Sequence, residues 1–424
     1  MLLIEDIYFP SSGVWEQGDL LIDGESYLAV GGEGSIQAGR GLFGARRKDA
    51  GMVVPGSVDG KKRYVLPAGV DPHVHVREPG DSHKEDWTTC SRAALRGGCT
   101  AILDMPNNRV PVTGLDALKE KKNIALRKSL VDFGLYVALT EENGEELSEP
   151  RLQECICGVK VYYAQTTGDI LVRSDRAVLQ AFRQPSPVLV HAGGAEGLDR
   201  LLQLYRKARN SSSHTPVLYI CHLGTAEEVA AVKKAKRDHP GLRAEVTPHH
   251  LLLTAREYTG PPRVLPPLGS ERDREALWEG VADGTIDTLG SDHAPHTQEE
   301  KRSADPPAGF PGLETALPLL FHACMEGRLS LSRFIDLTSG AAAALFHLPS
   351  RQVSEGGRAS FVIMEEAEYR IGEQGYSSKC GWSPFHGWKL GYRPVITVQR
   401  GRIACREGRF IENGARYLCG RKDA

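Results

Sequence analysis

The stretch Val65-Leu66-Pro67-Ala68-Gly69-Val70-Asp71-Pro72-His73-Val74-His75-Val76, running on into Arg77-Glu78-Pro79-Gly80, reads as the first of a series of β-strands. Side chains alternate across a strand, so His73, His75 and Arg77 share one face at its end. At roughly 3.3 Å per residue, imidazoles two positions apart stand about 6 to 7 Å from each other and can grip one divalent cation. Arg77 then sits where a carboxylate can dock against its guanidinium fork. Taken alone, His-x-His is more often a pair of ordinary buried histidines, and the rest of the chain decides.

Seven further β-rich runs follow at intervals filled by helical stretches: Thr100 to Pro106, Asp132 to Leu139, Gly158 to Tyr163, Pro187 to Ala192, Val217 to Leu223, Arg243 to Pro248 and Thr285 to Gly290. Strands alternating with helices over this length imply an α/β protein, a TIM-type (β/α)8 barrel whose chemistry lies at the C-terminal strand ends. Residues 65–351 are assigned to this barrel. The flanks, 1–64 and 352–424, hold short glycine-broken β runs such as Leu20-Leu21-Ile22 and Val395-Ile396-Thr397-Val398. Neither is long enough for a core of its own, so the two chain ends are expected to build one small β-sandwich together.

The bulk properties narrow the partners. With 52 Lys and Arg against 54 Asp and Glu the net charge is -2, which gives no reason to expect nucleic acid or an anionic membrane surface. The runs Arg46-Arg47-Lys48 and Lys61-Lys62-Arg63 are short and read as solvated charges. The opening Met1-Leu2-Leu3-Ile4-Glu5-Asp6 lacks a secretory pattern, and no apolar run reaches membrane-spanning length. Nine scattered cysteines suit reduced thiols and a cytoplasmic location.

Metal-competent side chains recur at the expected strand ends. Beyond His73 and His75 these are Lys160, His191, His222 and Asp292, more ionisable groups at one barrel mouth than structure alone demands. Lys160 is the odd member, because an ammonium repels cations. Burial disfavours its charge, and a neutral amine can take up carbon dioxide to form a carbamate, a carboxylate on a long stem that can bridge two ions. Two zinc ions are the expected occupants, with Mn, Co or Fe as alternatives for the same ligands. Such a pair holds a hydroxide nucleophile near neutral pH, and Asp292 would pass its proton to the leaving nitrogen. Cys221 and Glu245 lie near the expected mouth, where a plain barrel-core role fits at least as well as contact with an additional metal.

These motifs resemble those of the dihydroorotases of the cyclic amidohydrolase superfamily over nearly the full chain. The matching stretches are Asp71 to Gly80, Asp104-Met105-Pro106-Asn107-Asn108, Ala244-Glu245-Val246-Thr247-Pro248-His249-His250, Ser291-Asp292-His293-Ala294-Pro295-His296 with Lys301, and Gly309-Phe310-Pro311-Gly312-Leu313-Glu314. The resemblance implies ligation by His73, His75, carbamylated Lys160, His191, His222 and Asp292, with Arg77, Asn107 and His296 binding the substrate carboxylate. The context Lys160-Val161-Tyr162-Tyr163-Ala164-Gln165-Thr166-Thr167 is similar to the lysine-bearing form in the animal multifunctional pyrimidine enzyme, which implies a substrate-closing loop carrying Thr166. The activity so implied is reversible cyclisation of N-carbamoyl-L-aspartate to L-dihydroorotate in pyrimidine biosynthesis, on a binuclear metal centre with a bridging hydroxide. A hydantoinase- or allantoinase-like amidase and a silent scaffold beside an aspartate transcarbamoylase are the alternatives. A homodimer and a docked transcarbamoylase stay open as partners.

Overall fold

The computed structural model describes residues 1–32, 63–164, 170–211 and 215–419. These form two sheets. The first is a parallel barrel of β5 (Gly69–Val74), β6 (Cys99–Asp104), β7 (Asp132–Ala138), β8 (Gly158–Tyr162), β9 (Val188–His191), β10 (Leu218–Ile220), β11 (Leu242–Val246) and β12 (Thr288–Leu289), hydrogen-bonded in chain order. A parallel bridge from Val74 to His293, with the His75 amide donating to the His293 carbonyl at 2.9 Å, joins the last segment to the first. The barrel expected from the alternation of strands and helices is therefore present.

The second sheet joins the chain ends in the order β16 (Arg409–Phe410), β15 (Arg402–Arg406), β14 (Lys389–Gln399), β13 (Phe361–Arg370), β4 (Arg63–Pro67), β1 (Leu2–Ser11), β2 (Val14–Asp23), β3 (Ser26–Gly31). It curls until Tyr27 on its far edge exchanges backbone hydrogen bonds with Gly356 and Gly357 just before β13. Ile4, Phe9, Leu20, Phe361, Ile396 and Val398 fill the space so enclosed. One run divides differently from its sequence reading. Val65 to Val76 is two strands, because β4 pairs with β1 and β13 while β5 opens the barrel, and Ala68 lies between them.

Alternation within the barrel strands places the chemistry. Val159 and Val161 of β8, Val188 and Val190 of β9, Leu218 and Ile220 of β10, and Ala244 and Val246 of β11 join the outer core beneath the helices. Lys160, Tyr162, His191, Cys221 and Glu245 are of opposite parity and so face the barrel interior. Leu103, Tyr136, Leu189 and Tyr219 pack the interior below them, closed by Phe346, Leu348 and Leu418. In β5 strict alternation would put Val70 and Val74 on one face, yet Val70 is inside and Val74 outside. A register irregularity between Asp71 and Val74 inverts the parity and aims His73 and His75 inward.

Capping boxes fix where the flanking helices start: Asp86 with Thr89 for Trp87–Arg96, Thr225 with Glu228 for Ala226–Lys236, and Ser270 with Asp273 for Glu271–Ala282. Residues 377–388, between β13 and β14, cross from the terminal sheet to the barrel mouth. There the Lys379 ammonium donates to Ser82 O at 2.7 Å, the Trp382 indole to His296 O at 2.8 Å, and Gln298 to Gly381 O at 3.1 Å. The same segment gives the Lys379 amide and the Ser378 hydroxyl to the buried Glu85 carboxylate, which also faces His293 Nε2 at 3.2 Å.

Candidate active site

Three of the sequence-derived residues sit in left-handed backbone conformations: Arg77 at φ 69°, His222 at φ 37° and Asp292 at φ 44°. Non-glycine residues adopt this region at a cost that the surrounding structure must meet, and such strain gathers at functional sites. Each lies just past a barrel strand, where the chain turns out of the sheet and swings its side chain over the mouth. The Asp71 carboxylate supports two of these turns by accepting from the His73 amide at 3.0 Å and the Ser291 amide at 3.1 Å.

His73, His75 and Asp292 converge, with one ligand atom from each within 4.8 Å of the others. A carboxylate only accepts, so the proton between His73 Nδ1 and Glu245 Oε1, 2.7 Å apart, belongs to the imidazole. His73 Nε2 then faces Asp292 Oδ1 at 3.4 Å, and His75 Nε2 lies 3.0 Å from the same oxygen. Burial opposes charge on His73, but Glu245 and Asp292 outweigh it and raise its pKa to about 10. Burial dominates at His75 and lowers it to about 3. For Asp292 burial would raise the pKa, yet His73, His75 and His222 hold the carboxyl well below the usual carboxylate range. Between two carboxylates, the proton on His73 Nε2 occupies the place of a cation. A divalent metal fits there, with Glu245 accepting from the Nδ1 proton and so orienting the ligand ring.

The other half of the mouth holds two imidazoles and the Lys160 amine. His191 Nδ1 lies 3.0 Å from His222 Nε2, and His222 Nδ1 is buried with no hydrogen-bond partner among the described residues. Burial, then the neighbouring His191, hold the His222 imidazole neutral, well below its ordinary pKa. The Lys160 amine is 1% exposed and donates to Cys221 Sγ at 2.9 Å, with no carboxylate paired to it among the described residues. Imidazoles, a carboxylate and a long-stemmed amine at one mouth make a donor set for divalent metal.

Beside these ligands lies the anion-competent group. Among the described residues the buried Arg77 guanidinium has no ion pair, and its hydrogen-bond contacts are Pro295 O and His296 Nε2, each at 3.3 Å. His296 Nε2 also lies 3.0 Å from Ala308 O. Burial and then the cations of Arg77, Lys84 and Lys301 lower the His296 pKa to about 2, so the ring is neutral. Asn107 lines the same cavity, its Oδ1 accepting from His75 Nδ1 at 2.7 Å. Leu265, Ala308 and Gly309 form the opposite rim. Lys301 fastens that rim by donating to Arg263 O at 2.9 Å, Pro307 O at 2.9 Å and Gly309 O at 3.1 Å.

The structure thus gathers His73, His75, Arg77, Asn107, Lys160, His191, His222 and Asp292 around one cavity, with His296 behind Arg77. Thr166 and Thr167 lie outside the described residues. Glu245, ambiguous from sequence, is fully buried and accepts from His73 Nδ1, from the His222 amide at 3.0 Å and from the Tyr219 hydroxyl at 2.6 Å. His73, Cys221 and Glu245 also bring ligand atoms within 4.8 Å of one another. His250 is structural, bonded to Thr247 Oγ1 at 2.7 Å and Pro266 O at 3.1 Å. Sequence reasoning missed Tyr162, which lines the cavity, although its parity with Lys160 was a usable signal.

The model of the amidohydrolase family matches residues 64–403. The chain belongs to this family. An amidohydrolase is a metal-dependent hydrolase, in agreement with the divalent donor set at the mouth. The chain is 35% identical over 382 residues to the dihydroorotase of Thermus aquaticus, covering 82% of this chain and 89% of that protein. It is 33% identical over 354 residues to the multifunctional protein pyr1-3 of Dictyostelium discoideum, spanning 82% of this amidohydrolase but only 15% of that much longer protein. Among solved amidohydrolase structures, the L-hydantoinase of Arthrobacter aurescens superposes with a TM-score of 0.85 at 24% identity, covering 99% of each chain, and shares the fold.

Proposed function

We propose that this protein is a dihydroorotase, closing N-carbamoyl-L-aspartate to L-dihydroorotate with loss of water and hydrolysing the ring in reverse. The observation that carries the reading is the buried Arg77 guanidinium beside the metal ligands, without an ion pair among the described residues. A buried cation lacking a partner is costly unless a ligand supplies the opposite charge. L-Dihydroorotate bears such a charge as its ring carboxylate, and Arg77 grips it with Asn107 and His296 alongside. The neutral His296 adds polarity to that pocket without a second charge.

His73, His75, Lys160, His191, His222 and Asp292 would hold two divalent ions, which when bound supply Lewis acidity to the reacting carbonyl and ionise water near neutral pH. Asp292 does the proton work. In hydrolysis its carboxylate, ionised because the surrounding imidazoles keep it so, takes the proton of the attacking water and delivers it to the leaving ring nitrogen. In cyclisation it takes a proton from the ureido nitrogen and returns it to the departing oxygen. The imidazole-rich set favours zinc. The burial of Lys160 beside a thiol, with no carboxylate to pair it, supports its conversion to a carbamate. Nine free cysteines support the cytoplasm as its location, and among the described residues no helix is long and apolar enough to cross a membrane. The matches to multifunctional proteins support association with an aspartate transcarbamoylase, and a homodimer is the simplest self-assembly.

The test is metal content together with turnover on one purified sample. Metal-loaded protein should cyclise carbamoyl aspartate and hydrolyse dihydroorotate faster than hydantoin or allantoin. Inactivity on dihydroorotate, or a preference for a ring without a carboxylate, refutes the reading.

A further inference from the structure

We propose that the Tyr162 phenol is a substrate-binding donor, giving a hydrogen bond to an oxygen at the anionic end of the substrate that Arg77 grips; the proposal rests on the dihydroorotase reading above. Tyr162 is the last residue of β8, two positions beyond Lys160 on the same inward face, and is 2% exposed. Its ring centroid lies 5.4 Å from the Lys160 amine, and it lines the cavity with Arg77 and Asn107. Its hydroxyl has no hydrogen-bond partner among the described residues.

Two other inward-facing phenols of the barrel show what the fold does with such groups. The Tyr136 hydroxyl donates to Pro72 O at 2.9 Å, and Tyr219 donates to Glu245 Oε2 at 2.6 Å while lying 2.7 Å from Thr288 Oγ1. Both belong to the packed barrel interior. Tyr162 differs in standing at the mouth, where no protein group among the described residues pairs with its hydroxyl. A buried hydroxyl without a partner costs stability, whereas phenylalanine in the same space would not. The substrate presents carboxylate and carbonyl oxygens, which only accept, so the phenol is complementary to it as a donor. The arrangement gives up some stability of the free protein for a contact completed on binding.

Tyr162→Phe tests this, because stability and substrate affinity should separate. The variant should keep the metal content of the wild type and melt at the same or a higher temperature. Its KM for L-dihydroorotate and for N-carbamoyl-L-aspartate should rise about 5- to 30-fold, with kcat within about threefold. A KM within about twofold of an active wild type overturns the proposal. So does a lower melting temperature, which would reveal a structural bond for the hydroxyl. A wild type inactive on both substrates overturns the dihydroorotase reading itself, and the proposal falls with it.

Discussion

Replacing Arg77 by methionine removes the charge that the substrate reading depends on while disturbing little else. Methionine keeps most of the apolar stem and, like arginine, is unbranched at Cβ, so the strain of φ 69° is common to both proteins. Among the described residues the guanidinium gives up two hydrogen-bond contacts, each at 3.3 Å and so at the weak end of hydrogen bonding. Stability should therefore change by no more than about 1 kcal/mol, since lost bonds and relieved burial of charge offset each other. Binding is another matter. Truncating one partner of a desolvated charge pair costs about 2 to 5 kcal/mol, or roughly 30- to 4,000-fold at about 1.4 kcal/mol per decade. Steady-state hydrolysis of L-dihydroorotate should show that loss mainly in KM, with metal content unchanged. Dihydrouracil, which lacks the carboxylate, should inhibit both proteins with the same constant. A variant KM within about threefold of the wild type refutes the carboxylate role.

Asp292→Asn should lower kcat by at least about 10² to 10⁴-fold in both directions while retaining much of the metal, and single-turnover rates on metal-matched samples check this. Glu245→Gln keeps the shape but removes the charge that orients His73 through Nδ1, and chelator competition should show metal affinity weakened about 10- to 100-fold. His296 sets an acid limit on stability. Its pKa falls from 6.5 to about 2 on folding, so the unfolded chain takes up the proton first and stability declines as pH drops below 6.5, at up to about 1.4 kcal/mol per unit until the folded pKa is reached. His296→Asn should abolish roughly 2 to 3 kcal/mol of the loss between pH 6.5 and about 4.5 in urea titrations, and an unchanged acid slope counts against it.

The barrel was legible because its strands are short apolar runs bounded by turn residues and separated by helices. The division of Val65 to Val76 was less so, since β formers continue across it. Its markers are Pro67, which carries no amide proton to extend a ladder, and Gly69, where a Cβ would meet Cys99 Sγ at 2.5 Å. The residues gathered at the mouth could be read because His, Lys and Asp at strand ends are conspicuous against apolar neighbours. Glu245 was conspicuous in the same way, but whether a buried carboxylate orients a ligand or binds metal depends on which atom faces it, and that is a three-dimensional fact. Of the rim, only Gly309 and its fastener Lys301 were picked out, by motif resemblance; Leu265 and Ala308 left no trace, because loops have no periodicity and their contribution here is backbone geometry.

The crossing segment 377–388 has a consequence for how activity is lost. Glu85 accepts from Ser378 and Lys379 on one side and faces His293 on the other, immediately after Asp292 in the chain, while Trp382 holds the His296 carbonyl. The sheet built from the chain ends is thus wired into the loop that carries Asp292. Heat, denaturant or a protease that frays this sheet should silence the enzyme before the barrel helices begin to melt, making turnover a more sensitive reporter of the periphery than circular dichroism.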